Sequence, residues 1–329
     1  MNESLHIAEI PSRIASTLSR SIIMAGCITE TKYILLAEKD MGPNYDPWKK
    51  LPDAHVIIYD RTAQKWSAKK LDKKAFQWWI AHTSLADEAL IIGSKNEVYH
   101  LNSSGQVERQ EPLPRSMVTG IDTIINIHGA IFSVGVLRSV AHRDGSGQWH
   151  SITEELVEKT IEMDDLIEEE DGDFDPGFEC IDGFAADRDL YAAGGESDIW
   201  HFDGTDWNQI PVPIEDMQIN CICCAADGSI YVAGRFGTLL KITDQKCEVL
   251  QQSLTEDDFL DIAAFQGKVY VCTRSALYII DDKTLIDVDF GDHESPSCCG
   301  SLYVNCGQLL SANGHDAHIF DGESWIKLY

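Results

Sequence analysis

The sequence predicts an all-β protein: a single seven-bladed β-propeller of four-stranded blades over residues 1–329, with one acidic helical insertion between blades three and four. Two observations predict it. A block made of a β-rich run, a tight turn, a second run and an Asp-Gly turn recurs along the chain. Successive copies lie about 40 residues apart, the period of a four-stranded blade. The clearest copies are LYAAGGESDIWHFDGTDWNQI (190–210), SIYVAGRFGTLLKITDQKCEVL (229–250) and LLSANGHDAHIFDGESWIKL (309–328).

The copies align on the residue equivalent to Tyr231 in the run Tyr-Val-Ala-Gly. Successive alignment residues are 57, 42, 59, 40, 39 and 40 positions apart, so four of the six spacings are close to one blade. The two longer spacings fit blades that carry insertions. Seven alignment residues predict seven blades, and they are Tyr33, Leu90, Phe132, Tyr191, Tyr231, Tyr270 and Leu310.

Within each copy the sequence predicts four short strands. The first precedes the alignment residue, as in 180–186, the second contains it, and the third follows a short turn, as in 198–203. These runs are rich in β-branched and aromatic residues and are separated by turn residues, as in all-β chains. The fourth strand begins near a tryptophan in four copies, and we expect these side chains to pack between neighbouring blades: Trp66, Trp149, Trp207 and Trp325.

The Tyr-Val-Ala-Gly run and the Asp-Gly turn followed by Trp resemble the bacterial β-propellers with YVTN-like or WD40-like repeats. The resemblance covers nearly the whole chain and implies the propeller fold. It identifies no specific functional family, because the Gly-His and Trp-Asp signatures of WD40 blades are missing. The arginine cluster and tyrosine nucleophile of sialidase-like propellers also have no counterpart.

Charge narrows the range of partners. The chain has 26 basic and 54 acidic residues, a formal net charge of −28. A field of that sign repels phosphate backbones, so we expect no direct nucleic-acid binding. There is no run of 18 apolar residues, so we expect no membrane span. The N-terminus lacks the pattern of a secretory signal, which predicts a cytoplasmic protein whose ten cysteines are free thiols.

Two insertions are the strongest functional indication in the sequence. One, at about 37–53, expands blade one between its second and third strands, and the other, at about 152–178, separates blades three and four. In a propeller these two kinds of connection open on the same face. Long loops held by a rigid scaffold commonly carry function, so we expect both insertions to contact one partner.

The second insertion is strongly acidic, with twelve acidic residues and one basic residue between Glu154 and Asp175. Its first part reads as a helix, with a capping-box pattern at Ser151 and Glu154 and an apolar stripe through Leu156, Thr160, Met163 and Ile167. Three interpretations remain open: a solvated acidic loop, a docking element for a basic protein, and a calcium site. The spacing does not match the twelve-residue EF-hand loop, in which glycine is sixth.

The first insertion contains Pro43, Tyr45, Pro47 and Trp48, which make a stiff, aromatic loop. Tyr and Trp are favoured at interface centres, although Trp48 packing against its own blade is an equal alternative. We predict no metal site and no cofactor. The predicted partner-binding residues are Tyr45, Trp48, Glu154, Glu155, Glu158, Glu162, Asp164, Asp165, Glu168, Glu169, Glu170 and Asp171.

These features predict a non-enzymatic protein, monomeric when unbound, that sequesters a basic protein partner. An immunity protein that neutralises a bacterial toxin, such as a nuclease, fits this description. The alternative is a propeller enzyme, a lactonase- or lyase-like hydrolase that uses a metal in the central channel. Asp122, Asp182 and Asp261 lie on first strands, which line that channel, and could hold a cation or act as general bases. They also fit simple hydrated channel positions.

Overall fold

The computed structural model describes residues 7–46, 49–118, 120–164, 177–251, 256–291, 296 and 299–329, with only the backbone described for 162–164. The chain folds into seven antiparallel four-stranded sheets. Each sheet is built from four consecutive strands, so the predicted seven-bladed propeller is confirmed.

Blades one to four contain the following strands: β1 Ser21–Ile28, β2 Lys32–Lys39, β3 Ala54–Asp60, β4 Lys65–Lys70, β5 Trp78–His82, β6 Ala89–Gly93, β7 Val98–Leu101, β8 Val107–Gln110, β9 Ile121–Ile127, β10 Ala130–Gly135, β11 Ser139–Arg143, β12 Trp149–Ser151, β13 Cys180–Ala185, β14 Asp189–Gly194, β15 Asp198–Phe202 and β16 Trp207–Gln209. Blades five to seven contain β17 Ile219–Cys224, β18 Ile230–Gly234, β19 Leu239–Thr243, β20 Lys246–Gln251, β21 Asp261–Phe265, β22 Lys268–Cys272, β23 Leu277–Asp281, β24 Thr284–Asp287, β25 Leu302–Asn305, β26 Gln308–Asn313, β27 Asp316–Phe320 and β28 Trp325–Lys327. All seven alignment residues fall on second strands.

Second strands are the most apolar because both of their faces are covered by neighbouring blades. Every residue of β6 is buried, and so are the first seven of the eight residues in β2. A strand buried on both faces reads as a continuous apolar run rather than an alternating one. The core is therefore divided among the interfaces between blades.

The four tryptophans of the fourth strands pack at those interfaces, as predicted. Trp149 joins a cluster that contains Leu90 and Ile92 of blade two. Trp325 packs among Tyr270 and Phe290 from blade six and the connection after it. Each of these four rings connects its own blade to the preceding one and adds a large apolar area to that interface.

The ring closes between blades seven and one without a shared strand. The last blade is formed wholly by β25 to β28. A short helix, α1 Ser12–Leu18, covers the seam, where Leu18 packs in one cluster with Leu310 and Ile319 of blade seven. The Tyr33 hydroxyl also donates a hydrogen bond across the seam to Gln308 Oε1 at 3.1 Å. No described helix is long and apolar enough to cross a membrane.

Candidate partner-binding face

One face of the propeller carries both expanded connections, and we call it the decorated face. Because the four strands of each blade alternate in direction, the second and fourth strands end on the same face. The turns between second and third strands and the connections from one blade to the next therefore both lie on the decorated face. In blade one the connection is 40–53, since β2 continues to Lys39, three residues beyond the expected start of the insertion. Between blades three and four, the connection joins Ser151 to Cys180.

A helix, α2 Glu154–Asp164, forms the first part of the connection between blades three and four. The predicted stripe faces the propeller at Leu156 and Thr160, which are 8% and 1% exposed. The side chains of the other two stripe residues, Met163 and Ile167, lie outside the description. Leu156 packs with Val134 of blade three and Phe178. The apolar side of α2 is therefore part of the core between blades three and four.

The start of α2 differs from the expected capping box. The helix begins at Glu154, so Ser151 is too early to be its N-cap, and Thr153 directly precedes the first turn. The Thr153 carbonyl accepts the Val157 N–H at 2.8 Å. Its hydroxyl accepts the backbone N–H of Val140 at 2.8 Å. Thr153 is thus bonded to the first turn of the helix through its carbonyl and to strand β11 through its side chain.

A buried ion pair holds the middle of α2 against the propeller. Arg138, at the β10–β11 turn, donates from Nε to Asp198 Oδ2 at 2.6 Å, and the side chains are 8% and 9% exposed. Arg138 Nη1 donates to the Thr160 hydroxyl at 3.0 Å, so the guanidinium connects α2 to blades three and four.

The carboxylate of this ion pair has further donors. Asp198 Oδ1 accepts Trp200 Nε1 at 2.7 Å and Gln209 Nε2 at 3.1 Å. The Arg138 guanidinium lies 5.4 Å from the centre of the Trp200 ring, within the range of a cation–π contact. Hydrogen bonds to the remaining acceptors help to stabilise a buried charge pair, and here both oxygens of Asp198 accept hydrogen bonds.

The outer side of α2 is acidic. Glu154, Glu155 and Glu158 are exposed, as is the apolar side chain of Ile161 at 42%. Lys159 is the one basic residue of the helix. Glu162 and Asp164 lie in the last part of α2, where only the backbone is described. The other predicted binding residues of this segment lie outside the described residues, and they are Asp165, Glu168, Glu169, Glu170 and Asp171.

The 40–53 connection is fixed by polar contacts close to the surface. Asp53 accepts the ammonium groups of Lys70 at 2.8 Å and Lys74 at 2.9 Å. These hydrogen bonds lower the pKa of Asp53 to about 2. Tyr45 is half-buried, and Trp48 lies outside the described residues.

The first strands enclose a central channel with a cavity of about 580 Å³, lined by Asp122, Asp182 and Asp261 as the sequence predicts. Two of these carboxylates join neighbouring blades. Asp182 Oδ2 accepts the backbone N–H of Cys224 at 2.7 Å, and Asp261 Oδ2 accepts that of Leu302 at 2.7 Å. Each carboxylate also accepts the N–H of the residue that follows it, at 2.8 Å.

Burial is the largest influence on the pKa values of Asp182 and Asp261. It raises the pKa of Asp182 to about 6 and that of Asp261 to about 7. Burial also lowers the pKa of His82, another channel residue, to about 4. Across the described ranges, no group of three or more His, Cys, Asp or Glu side chains is placed to hold a metal ion. In the structure, Asp182 and Asp261 each link one blade to the next by a hydrogen bond.

Sequence reasoning did not find Arg138, Asp198 or their contact with Thr160. A signal was present: Arg138 lies six residues after the alignment residue Phe132, and Asp198 lies seven after Tyr191. Opposite charges at nearly the same position of neighbouring repeats are candidates for an ion pair between blades. The nine cysteines in the described part of the chain are free, as the sequence predicts.

Comparison with known proteins gives a curated relative that is similar over most of the chain. The chain is 29% identical over 282 residues to Immune protein Tsi7 of Pseudomonas aeruginosa, and the match covers 84% of this chain and 88% of that protein. No family model matches the chain.

Solved structures share the fold at low sequence identity. A catalytically inactive variant of virginiamycin B lyase from Staphylococcus aureus, bound to quinupristin, has a TM-score of 0.63 at 10% identity and covers 91% of this chain and 94% of its own. The WD40 repeats of RRP9 give 0.62 at 11% identity, with 90% and 88% covered. YCF48 bound to D1 peptide gives 0.58 at 13% identity, with 90% of both chains covered. The chain is therefore a seven-bladed β-propeller related in fold to the WD40 and lyase propellers.

Proposed function

We propose that this chain is an immunity protein that binds a toxin domain and neutralises it. The similarity to Immune protein Tsi7 over most of both chains carries the proposal. A rigid propeller with expanded connections on one face suits a protein whose task is to bind another protein. The free chain is proposed to be a cytoplasmic monomer.

The partner is proposed to have a basic surface. The net charge of −28 and the exposed glutamates of α2 favour a cationic protein and repel an anionic one. A nuclease domain fits, because enzymes that act on nucleic acids present positive surfaces to phosphate. By covering that surface, the propeller would exclude the nucleic acid.

A growth experiment tests the neutralising role. The protein encoded beside the gene for this chain would be expressed from an inducible promoter in bacteria, with and without this chain. We expect growth arrest without the chain, recovery with it, and recovery of a one-to-one complex on purification. A toxic neighbour that stays toxic in the presence of this chain, and does not bind it, contradicts the proposal.

A kinetic experiment tests the role of α2. The triple variant Glu154→Gln, Glu155→Gln and Glu158→Gln removes three exposed charges from the decorated face. We expect association with the toxin domain to slow by about tenfold at low salt, with a weaker dependence on salt, because such charges act mainly on the encounter rate.

The matched control removes three exposed carboxylates from the opposite face, through Glu30→Gln, Asp187→Asn and Asp282→Asn. It carries the same change in net charge, so it measures the contribution of overall charge alone. We expect it to leave the association rate close to that of the unmodified chain. Equal slowing by both triple variants contradicts a role for α2 itself.

A further inference from the structure

Among the described residues of the decorated face, Phe236 is the most exposed large apolar side chain. Phe236 lies at the tip of the turn between β18 and β19 in blade five, within a 3₁₀ turn at Arg235–Gly237, and is 62% exposed. Its backbone is in the left-handed region, with φ 54° and ψ 34°. A bulky residue is rare there, because its Cβ approaches the following carbonyl oxygen.

The turn is fixed on both sides. The Phe236 N–H donates to Asp258 Oδ1 at 3.0 Å, and the Arg235 N–H donates to the Gln218 carbonyl at 3.0 Å. At Gly234 a Cβ would lie 2.0 Å from the Gln218 oxygen, so the backbones are in direct contact there. These contacts from the connections before and after blade five hold the strained conformation in place.

The equivalent turn of blade two also contains a left-handed residue, at the position that aligns with Gly237, one residue after Phe236. Asn96 also has a positive φ, 65°, and asparagine tolerates it well. Its side chain is buried and donates to the carbonyls of Leu113 and Val118 at 3.1 and 3.0 Å. Asn96 thus stabilises its own blade, whereas Phe236 directs most of its ring into solvent. Strained residues that gain little for the fold are typical of binding sites.

Exposed carboxylates lie in the two connections whose residues hold this turn, and the exposed basic residue Arg235 directly precedes the ring. Glu215 and Asp216 are exposed in the connection before blade five, and Glu256 and Asp257 in the connection after it. An exposed aromatic side chain between two acidic connections is suited to a cationic protein surface with an apolar pocket. The same acids repel the phosphates of lipid head groups and nucleic acids.

We propose that Phe236, held rigidly by the blade-five turn, is a central apolar contact for the basic toxin partner of this chain. The inference rests on the proposed immunity function and adds a specific contact to it. Because the backbone that carries the ring is already fixed, binding does not have to order this turn. The contact therefore stabilises the formed complex, while the acids of the neighbouring connections accelerate its formation.

The test combines binding and stability in one variant. Phe236→Asn removes the ring and introduces a residue that favours the left-handed conformation. We expect dissociation from the toxin domain encoded beside the gene for this chain to become at least about tenfold faster, with little change in association rate. We expect the melting temperature to stay the same or rise by about 1–3 °C. A residue that supports only the fold would lower it instead.

Two further variants sharpen the result. Leu85→Asn changes a side chain of similar exposure, 63%, on the opposite face, and should leave dissociation unchanged. Phe236→Tyr keeps the ring and should retain slow dissociation. If the unmodified chain binds tightly and Phe236→Asn dissociates at the same rate, the inference is wrong and the immunity function stands. If the unmodified chain does not bind, both are wrong.

Discussion

The two expanded connections on the decorated face are held in different ways. Helix α2 is fixed by the Arg138–Asp198 pair, whose side chains are 8% and 9% exposed. The ion pair at the end of the 40–53 connection, Lys70–Asp53, is exposed instead, with side chains 56% and 31% exposed. A buried pair is costly to break because one charge is left without a partner, whereas water replaces an exposed partner at little cost.

The two connections therefore differ in how rigidly they hold their side chains for a partner. The first turns of α2 are part of the inter-blade core, so their glutamates are offered from a fixed scaffold. The 40–53 connection depends on contacts that water and salt weaken. We therefore expect α2 to bind with little adjustment and the 40–53 connection to adapt its shape to the partner.

The largest expected effect is at Arg138. Arg138→Met keeps much of the side-chain volume but leaves Asp198 buried without its counter-charge, which costs about 3–5 kcal/mol. Urea unfolding followed by circular dichroism would measure the loss. Adding Asp198→Asn removes the isolated charge and should restore part of the stability. Equal stability of Arg138→Met and the unmodified chain would show that this pair does not hold α2.

A smaller effect is expected at the foot of α2. Leu156→Ala opens a cavity beside Val134 and Phe178 and should cost about 2–3 kcal/mol. Amide hydrogen exchange would show whether the helix loses protection before the blades do. Val157→Ala, at a half-buried position on the same helix, should cost less than about 1 kcal/mol. Equal costs at the two positions would contradict the packing of α2 on the propeller.

At the base of the 40–53 connection, the buried carboxyl group of Glu38 makes the stability of the chain depend on pH. Glu38 lies near the end of β2, is 8% exposed, and has no hydrogen-bond partner for Oε1 among the described residues. Burial raises the pKa of Glu38 to about 7. The folded chain therefore holds this proton more tightly than the unfolded chain, and stability falls as pH rises from about 4.5 to 7.

Glu38→Gln removes that dependence. We expect the variant to match the unmodified chain in melting temperature near pH 5 and to exceed it by a few degrees near pH 8. Because Asp182 and Asp261 titrate in both proteins, the difference between the two melting curves isolates Glu38. A difference that does not change with pH would exclude a buried, titrating carboxyl at this position.

The smallest expected effect is at the exposed pair. Lys70→Met leaves Asp53 paired with Lys74 and open to water, so the stability change should be about 0.5 kcal/mol or less. High salt should reduce even this difference. A loss as large as that from Arg138→Met would remove the distinction between the two connections.

The sequence predicted the propeller because each blade repeats the same short-range pattern. Tyr231 and its six equivalents mark second strands, whose two-sided burial imposes the same apolar run in every blade. Most of the acidic helix was also predicted, because Leu156 and Thr160 follow helical periodicity. Glu155 and Glu158 could be placed on its outer side for the same reason.

Other features depend on contacts that no local pattern records. The Arg138–Asp198 pair joins residues 60 positions apart in different blades. The conformation of Phe236 follows from the contacts of its backbone with Asp258 and Gln218, and its own residue type argues against it. Helix α1 has only seven residues, too few for a clear periodic pattern in the sequence. A helix this short is stabilised by its packing on the seam between blades seven and one.

The closure of the ring has a consequence for how the protein is made. Every blade pairs strands that are adjacent in sequence, so blades can form one after another as the chain leaves the ribosome. The hydrogen bond from the Tyr33 hydroxyl to Gln308 can form only after Gln308 has been translated, 275 residues later. At roughly 5–20 residues per second, that delay is about 15–55 seconds. During synthesis the face of blade one that packs on blade seven lacks Leu310 and Ile319 throughout this interval, so this apolar face of the nascent chain needs protection from aggregation.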